Sequence, residues 1–222
     1  CGPYWGPVTP SPALLAVVDA SEGRAPSGLS PADVEAIFRR PAHGLATQRA
    51  PRVVVVNAGR RGGKTSNLLA PKMVHAAWTT PLPDLKPGEI ARAVVISPDL
   101  DLSEAAFNYA VGICESSPVL RRAVVKKNTE QIVLRRPDGK LCEIVTGAAS
   151  RGGAAARSRT CVFVGLDEAA FFYAADGHTV NDRDIYNAAL GTLKFVAGSQ
   201  CWIVSTPWVE EEGLMEELIR DY

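Results

Sequence analysis

The stretch VVVVNAGRRGGKTSNLLAPKMVHAAW, residues 53–78, decides the fold class of this 222-residue chain. Four valines without polar alternation are typical of a strand that is buried on both faces of a parallel sheet. A turn rich in glycine and arginine follows, and then come Lys64, Thr65 and a segment with helical character. A phosphate-binding loop needs such a strand, converging backbone N–H groups, a lysine, a hydroxyl for Mg²⁺ and a helix whose N-terminus faces the anion. All five features occur here in the required order.

The loop departs from the usual pattern G-x-x-x-x-G-K-[ST] at its first position, where Ala58 replaces glycine. A small side chain fits there if its φ stays negative. The alternative is a glycine-rich turn between a strand and a helix that binds no nucleotide. On the first interpretation, the nucleotide-binding residues of the segment are Ala58, Gly59, Arg60, Arg61, Gly62, Gly63, Lys64, Thr65 and Ser66.

A second chemical signal is the run VFVGLDEAAFF, in which an apolar strand ends in two acids. Mg²⁺ beside a triphosphate must be held from another strand, and a water must be activated next to it. We expect Asp167 to bind Mg²⁺ or its water and Glu168 to act as the general base. The alternative is a pair of charges at a helix N-terminus.

A third signal lies in QCWIVSTPW, where an apolar strand ends in Ser205 and Thr206. Ligand sites of α/β folds lie at the carboxyl edge of the sheet, so these two hydroxyls are candidates for sensing the γ-phosphate. A Ser/Thr turn ended by proline is the structural alternative.

The order of elements along the chain indicates an α/β fold with a mostly parallel sheet flanked by helices. A helix is predicted from about residue 103 to 115, and a hairpin turns at Pro137-Asp138-Gly139. Two helical segments near the N-terminus form a lead-in, the second with Ser30 as its cap. We therefore divide the chain into an N-terminal helical extension, residues 1–45, and a P-loop ATPase domain, residues 46–222. The other predicted strands are ARAVVISPD, RTCVFVGLDE and QCWIVSTPW, and further helices are predicted for DRDIYNAALGTLKFV and EEEGLMEELIRDY.

Composition narrows the class of protein. The chain has 24 basic and 24 acidic residues, no apolar run of the ~20 residues that a membrane span needs, and no signal-peptide pattern at its N-terminus. Its five cysteines are scattered without a C-x-x-C pair, which indicates reduced, cytosolic core residues. The three histidines lack metal-ligand spacing, so we do not expect a zinc site.

Charge is unevenly distributed along the chain. Residues 121–160 carry ten Lys or Arg against three Asp or Glu, whereas residues 161–222 carry three basic residues against eleven acids. Solvated surface with internal ion pairing is the simpler explanation of this asymmetry. The sharper hypothesis is a basic face for a phosphate backbone or an acidic neighbouring subunit.

Four motifs together resemble one family: AGRRGGKT, VVISPDLDLSEAAF, VFVGLDEAAFF and QCWIVSTP. Their combination, over roughly residues 45–215, is similar to the ATPase domain of the large terminase subunit, the DNA-packaging motor of tailed bacteriophages. The resemblance implies a P-loop NTPase of the ASCE/RecA-like class that uses ATP and Mg²⁺. That family tolerates Ala at the first glycine position, and it has an arginine four residues before the lysine, where Arg60 stands.

The resemblance also implies a role for each site residue. Asp167 matches the Mg²⁺-binding acid, Glu168 the catalytic acid, and Ser205 and Thr206 the coupling motif. Gln48 is a weaker match to the glutamine that contacts adenine. We expect Lys64, Glu168 and Arg60 to be catalytic, and Thr65 and Asp167 to be the metal ligands. Arg60 would contact the γ-phosphate with its guanidinium; the alternative is that Arg60 and Arg61 only add positive potential.

The partners implied by the resemblance are double-stranded DNA, the portal protein, the small terminase subunit and further copies in a ring on the capsid, in the host cytoplasm and without a membrane. An arginine from a neighbouring subunit would reach the ATP, with Arg121 and Arg122 as first candidates. We expect the isolated domain to be monomeric.

The chain begins at Cys1 without methionine and ends soon after the coupling motif, so it resembles an excised ATPase domain for which DNA cleavage is not expected. A helicase or another DNA-remodelling ATPase shares these motifs and is the main alternative. A catalytically silent nucleotide-binding scaffold is disfavoured because Glu168 is present.

Overall fold

The protein is described here by a computed structural model covering residues 10–47, 49–149, 159–172, 182–207 and 213–221. Its strands are β1 Val53–Asn57, β2 Ala91–Ser97, β3 Val124–Lys127, β4 Gln131–Arg135, β5 Leu141–Ala148, β6 Cys161–Asp167 and β7 Gln200–Ser205. They form one sheet in the order β1-β7-β6-β2-β5-β4-β3. Strands β1, β7, β6, β2 and β5 run parallel to one another. Strand β4 pairs antiparallel with β5, and β3 pairs antiparallel with β4. The predicted α/β class with a mostly parallel sheet is confirmed.

Helices flank the sheet on both faces. Their bounds are α1 Pro12–Ser21, α2 Pro31–Phe38, α3 Ala70–Thr79, α4 Leu100–Ser116, α5 Pro118–Ala123, α6 Asp182–Leu193 and α7 Leu214–Asp221. Ser30 caps α2 as predicted, since its hydroxyl accepts a hydrogen bond from Asp33 N at 3.2 Å. The helix predicted for 103–115 starts three residues earlier, where the Asp99 carboxylate accepts from Leu102 N.

Two apolar layers hold the helices to the sheet. On one face α1, α3, α4 and α5 contribute to the first layer, including Leu14, Met73, Phe107 and Leu120. On the other face α6 and α7 form the second layer over β6, β7 and β1. Buried strands explain the unbroken apolar runs in the sequence, because helices remove both strand faces from water.

The N-terminal lead-in contributes to the first layer and is tied to it by charge. Lys72 of α3 pairs with Glu22 at the end of α1, and its ammonium lies 5.3 Å from the ring centroid of Trp202. The Gln200 amide donates to Ser21 O at 2.7 Å. The division at residue 45 stays a prediction.

The helix after the loop that follows β1 begins with a widened turn, a π-helix over Lys64–Leu69. Ala70 N donates to Thr65 O, five residues back. Pro71 has no N–H and its ring would clash with the carbonyl four residues back, so a wider turn relieves the conflict. A Cβ on Gly165 of β6 would lie 3.1 Å from Leu69 Cδ2, so a glycine lets this turn lie close to β6.

The four described cysteines, Cys114, Cys142, Cys161 and Cys201, are buried and form no disulfide with one another. Burial raises the pKa of each thiol to about 11 or 12, so they act as small core residues. Within the described ranges, no helix combines the length and apolar character of a membrane span.

Candidate active site

Three chain segments meet at one edge of the sheet because β1, β7 and β6 are parallel neighbours. The loop after β1, the acids at the end of β6 and the hydroxyls at the end of β7 all emerge there. Ala58 N donates to Ser205 O at 3.0 Å, which extends the β1–β7 pairing into the loop. This edge is where α/β sheets place their ligands.

Lys64 is almost fully buried, with 5% of its surface exposed, and its ammonium lies at the centre of the site. Nζ donates to Ala58 O at 3.1 Å, Gly59 O at 3.2 Å and Thr206 Oγ1 at 2.8 Å. It also forms a salt bridge with Glu168 Oε1 at 3.2 Å. The lysine therefore interacts with its own loop and with the acid that we expect to be catalytic.

Thr65 and Asp167 contact each other directly. Thr65 Oγ1 donates to Asp167 Oδ2 at 2.7 Å, although the two residues are 102 positions apart in the chain. Asp167 is 1% exposed, and its Oδ1 has no hydrogen-bond partner among the described residues. Burial raises the pKa of the Asp167 carboxyl from 3.8 to about 6, with Glu168 adding to the shift and the Thr65 hydrogen bond opposing it.

Glu168 has a backbone that few non-glycine residues adopt, with φ 49° and ψ 46°. Its carboxylate accepts from Thr206 N at 2.8 Å and from Thr206 Oγ1 at 3.0 Å. Left-handed conformations of non-glycine residues cost free energy and persist where the surroundings enforce them, often at active sites. The contacts with Thr206 and Lys64 supply that enforcement here.

The loop backbone uses positive φ at two positions. Gly63 has φ 76°, and a Cβ there would lie 2.8 Å from Asn67 Nδ2. Arg61 has φ 60°. Ala58 does not have a positive φ. The alanine therefore fits this backbone without the strain that a positive φ imposes on a residue with a Cβ.

A cavity of about 320 Å³ opens in front of the loop. It is lined by Arg61, Gly62, Gly63, Lys64, Thr65, Ser66, Leu102, Ala105, Tyr109 and Glu168. This volume lies at the lower end of the range for small-molecule sites. Three lining residues come from one face of α4, and sequence reasoning missed them; the spacing i, i+3, i+7 of Leu102, Ala105 and Tyr109 was the available signal.

One of the two arginines in the loop does not line the cavity. Arg60 is exposed and is not among the residues that line the cavity, whereas its neighbour Arg61 is. Gln48 lies outside the described residues. The loop from Gly62 to Ser66 meets Glu168 at the cavity, and Lys64 and Thr65 link it to Thr206 and Asp167.

Comparison with known proteins identifies the fold. No model of a known protein family matches the sequence, and no curated protein does. The large terminase of bacteriophage HK97 matches with a TM-score of 0.56 at 16% sequence identity, over 93% of this chain and 40% of that one. The chain shares its fold with a bacteriophage large terminase.

Two further solved structures match this chain with lower TM-scores. The large terminase ATPase domain of Thermus phage P74-26 matches with a TM-score of 0.49 and 22% identity, covering 86% of this chain and 74% of that one. Dbp5 L327V of S. cerevisiae, bound to RNA and ADP BeF3, matches with 0.44 and 11%, covering 99% and 50%. This chain spans only 40% of the length of the HK97 terminase.

The donor set of the candidate site fits Mg²⁺. A carboxylate and a hydroxyl are hard oxygen ligands, which Mg²⁺ prefers. Asp167 Oδ1 is a buried acceptor without a partner among the described residues, which is costly unless a cation or a donor satisfies it. Thr65 and Asp167, the pair expected from the sequence, would hold the ion.

Because the pKa of Asp167 is raised, we expect Asp167→Asn to become more stable relative to wild type as the pH rises, in the absence of metal. A carboxyl whose native pKa is raised stabilises the fold fully below pH 3.8, and this stability is lost as the pH rises through 6. At pH 8 the ionised side chain costs about 2–3 kcal/mol, whereas asparagine stays neutral. Thermal unfolding should show the variant gaining stability over wild type at pH 8 relative to pH 4.

Mg²⁺ provides the control for this experiment. The ion should raise the unfolding temperature of wild type at pH 8 and leave that of Asp167→Asn unchanged, since it stabilises only a protein that binds it. Any packing cost of the amide is the same at both pH values. A variant-to-wild-type difference that does not change with pH would contradict the raised pKa.

Thr206→Val tests whether the contacts among Thr206, Lys64 and Glu168 compete with nucleotide binding. The Thr206 hydroxyl accepts from Lys64 and donates to Glu168, so it stabilises the arrangement that competes with a phosphate for the lysine. Losing about 1 kcal/mol of that arrangement should tighten ATP binding about fivefold. Calorimetry or a fluorescent ATP analogue measures it, and Thr206→Ser should behave like wild type. Weaker binding in the valine variant would mean that the hydroxyl contacts nucleotide instead.

Proposed function

We propose that this chain is the ATPase domain of a viral DNA-packaging motor, which hydrolyses ATP to drive double-stranded DNA into a procapsid. The hydrogen bond between Thr65 and Asp167, with Glu168 beside Lys64, carries the proposal. It supports the pairing of a phosphate-binding loop with the acids of a second strand, which ATP hydrolysis requires. The fold shared with the HK97 large terminase supports the motor over other P-loop ATPases.

The residues of the loop after β1 bind the triphosphate. The ammonium of Lys64 exchanges its carbonyl and carboxylate partners for phosphate oxygens of higher charge. Backbone N–H groups at the start of the π-helix face the same anion, and the helix dipole favours negative charge there. Mg²⁺, when bound, neutralises charge that develops on the phosphates.

Glu168 acts on the attacking water. When phosphate oxygens take over Lys64, the carboxylate is released from its salt bridge and becomes free to accept a proton from the water. Thr206 N–H and hydroxyl hold the carboxylate near the end of β7. A change in the position of Glu168 thereby reaches β7, which is a route for coupling hydrolysis to movement.

The motor also requires partners. We propose a ring of copies on the portal, with double-stranded DNA, the portal protein and the small terminase subunit as partners. Arg121 and Arg122 are exposed on α5 and are the first candidates for a guanidinium that reaches a neighbour's ATP. Nuclease activity is not part of the function proposed for these 222 residues.

The direct test is ATP hydrolysis by this chain with Mg²⁺, alone and with added nucleic acid. We expect hydrolysis that requires Mg²⁺ and is stimulated by duplex DNA. Hydrolysis that depends on single strands, together with strand separation, would favour the helicase alternative. A wild-type chain that binds no ATP in calorimetry would overturn the proposal as a whole.

Arg60 and Arg61 make separable contributions under this function. Arg61 lines the cavity, so Arg61→Ala should mainly weaken ATP binding. Arg60 corresponds to the family's arginine, so Arg60→Ala should mainly lower turnover with little effect on affinity. A fork-shaped contact would make Arg60→Lys a poor substitute. Equal, mild effects at both positions with full rescue by lysine would leave only a general positive potential.

A further inference from the structure

A row of residues in register crosses five neighbouring strands. Lys126 of β3 is paired with Val133, Val133 with Glu143, Glu143 with Arg92, and Arg92 with Cys161 of β6. Residues that are direct partners in a sheet project their side chains to the same face. The row therefore lies on one face, and four of its members belong to strands at the β3 side of the sheet.

Neighbouring contacts identify this face. Cys161 packs in the second apolar layer with Ile185 of α6, so the row lies on the α6 side. Lys127, the next residue after Lys126, points to the opposite side, where it pairs with Glu115 of α4. Helices α6 and α7 pack on β6, β7 and β1, at the far end of the sheet from Lys126.

The row contains more positive than negative charge. Glu143 is buried, and its Oε1 accepts from Arg92 Nη2 at 2.8 Å. Arg159 Nε lies 3.6 Å from the same oxygen, and the Arg159 side chain is 47% exposed. One carboxylate thus faces two guanidiniums, and Lys126 adds a third cation.

Arg135 extends the positive surface. It lies two residues from Val133 on β4, so it projects to the same face. Arg135 and Lys126 are exposed and form no salt bridge with another described residue. We call Lys126, Arg135 and Arg159 the basic row. From β3 to β6 it spans four strand spacings, roughly 19 Å.

We propose that the basic row is a docking surface for the phosphate backbone of duplex DNA. The inference rests on the proposed function, and it locates the DNA contact on the α6 side of the β3 end of the sheet. Lys126 and Arg135 have no acidic partner among the described residues, and Arg159 shares its carboxylate with Arg92. Exposed cations with such an excess of positive charge match the evenly spaced negative charges of a duplex. A surface of roughly 19 Å is wide enough to meet phosphates on both sides of a ~12 Å major groove. The row thus binds any duplex sequence.

The test is the salt dependence of duplex binding by the 222-residue chain, followed by fluorescence anisotropy of a labelled duplex. Each phosphate contact adds about 0.9 to the slope of log K against log salt. Lys126→Gln with Arg135→Gln should lower the slope by about two, and Arg159→Gln in addition by about one more. Neither Lys126 nor Arg135 pairs with Glu143, so the double variant leaves that buried ion pair intact.

The matched control is Lys127→Gln, compared with Lys126→Gln alone. It removes the same charge from the neighbouring residue of β3, which points to the opposite face and pairs there with Glu115 of α4. The slope of the Lys127 variant should equal that of wild type, whereas Lys126→Gln alone should lower it by about one. Equal slopes for these two variants would overturn the basic row. So would a wild-type chain that binds no duplex at low salt, which would make an acidic protein the candidate for this face.

Hydrolysis of ATP by wild type without DNA separates this inference from the proposed function. Duplex binding through the basic row without any ATP hydrolysis would overturn the ATPase and keep the docking surface. ATP hydrolysis combined with a salt-dependence slope that is insensitive to Lys126 and Arg135 would keep the ATPase and overturn the docking surface.

Discussion

Glu168→Gln should keep ATP binding and lose hydrolysis by roughly 10²–10⁴-fold, the contribution of a general base. Glutamine keeps the shape of the side chain and an oxygen for the Thr206 N–H, so the local structure is retained. It lacks the basicity that takes a proton from water. Single-turnover hydrolysis and calorimetric ATP binding, measured on the same preparation, separate the two effects.

Affinity that falls together with rate would contradict this assignment and indicate a structural acid. Glu168 has a left-handed backbone, so the unfolding temperature of the variant is a necessary control. Asp167→Asn is a useful comparison because it should lose Mg²⁺ dependence of binding as well as rate. The glutamine variant should retain that dependence.

Lys64→Ala should bind ATP about 10²-fold more weakly and show no measurable turnover. Hydrogen bonds to charged groups contribute about 1.5–3 kcal/mol each, and 1.4 kcal/mol is a tenfold change in affinity. Alanine also removes the cation that balances charge at the γ-phosphate in the transition state. Isothermal calorimetry and phosphate release measure the two losses.

Lys72→Ala is the matched control for this variant. Lys72 is the other buried lysine among the described residues, but it pairs with Glu22 and lies over Trp202, away from the loop. Its removal should lower the unfolding temperature and leave the ATP affinity of the folded protein unchanged. Unchanged turnover in Lys64→Ala would remove Lys64 from the site.

Local sequence was sufficient for those parts of the site whose geometry depends on neighbours in the chain. A strand, a glycine-rich turn and a helix in succession place Lys64 and Thr65 at a helix N-terminus whatever the rest of the chain does. Burial of parallel strands on both faces also predicted the α/β class, because only helices on both sides permit such apolar runs. The requirement that another strand supply an acid singled out Asp167, whereas its hydrogen bond with Thr65 is seen only in the structure.

Other features depend on contacts that local sequence does not encode. Strand β3 is four residues long and exposed along most of its length, so no apolar pattern in the sequence predicts it. The cavity wall on α4 is positioned by the packing of that helix beside α3. Arg61, which has a positive φ, lines the cavity and Arg60 does not, a difference that the spacing of the two arginines in the sequence does not reveal.

The sequence by itself determined the order of most of the elements and the polar side chains at the carboxyl ends of β1, β6 and β7. Only the tertiary structure decided strand order and register, and these set which distant side chains share a surface. Charges at Lys126, Arg135 and Arg159 are scattered over 34 positions of the chain, and register places them on one face. The physical reason is that backbone hydrogen bonds between strands act at any sequence separation, whereas propensity and hydrophobic periodicity act only over a few residues.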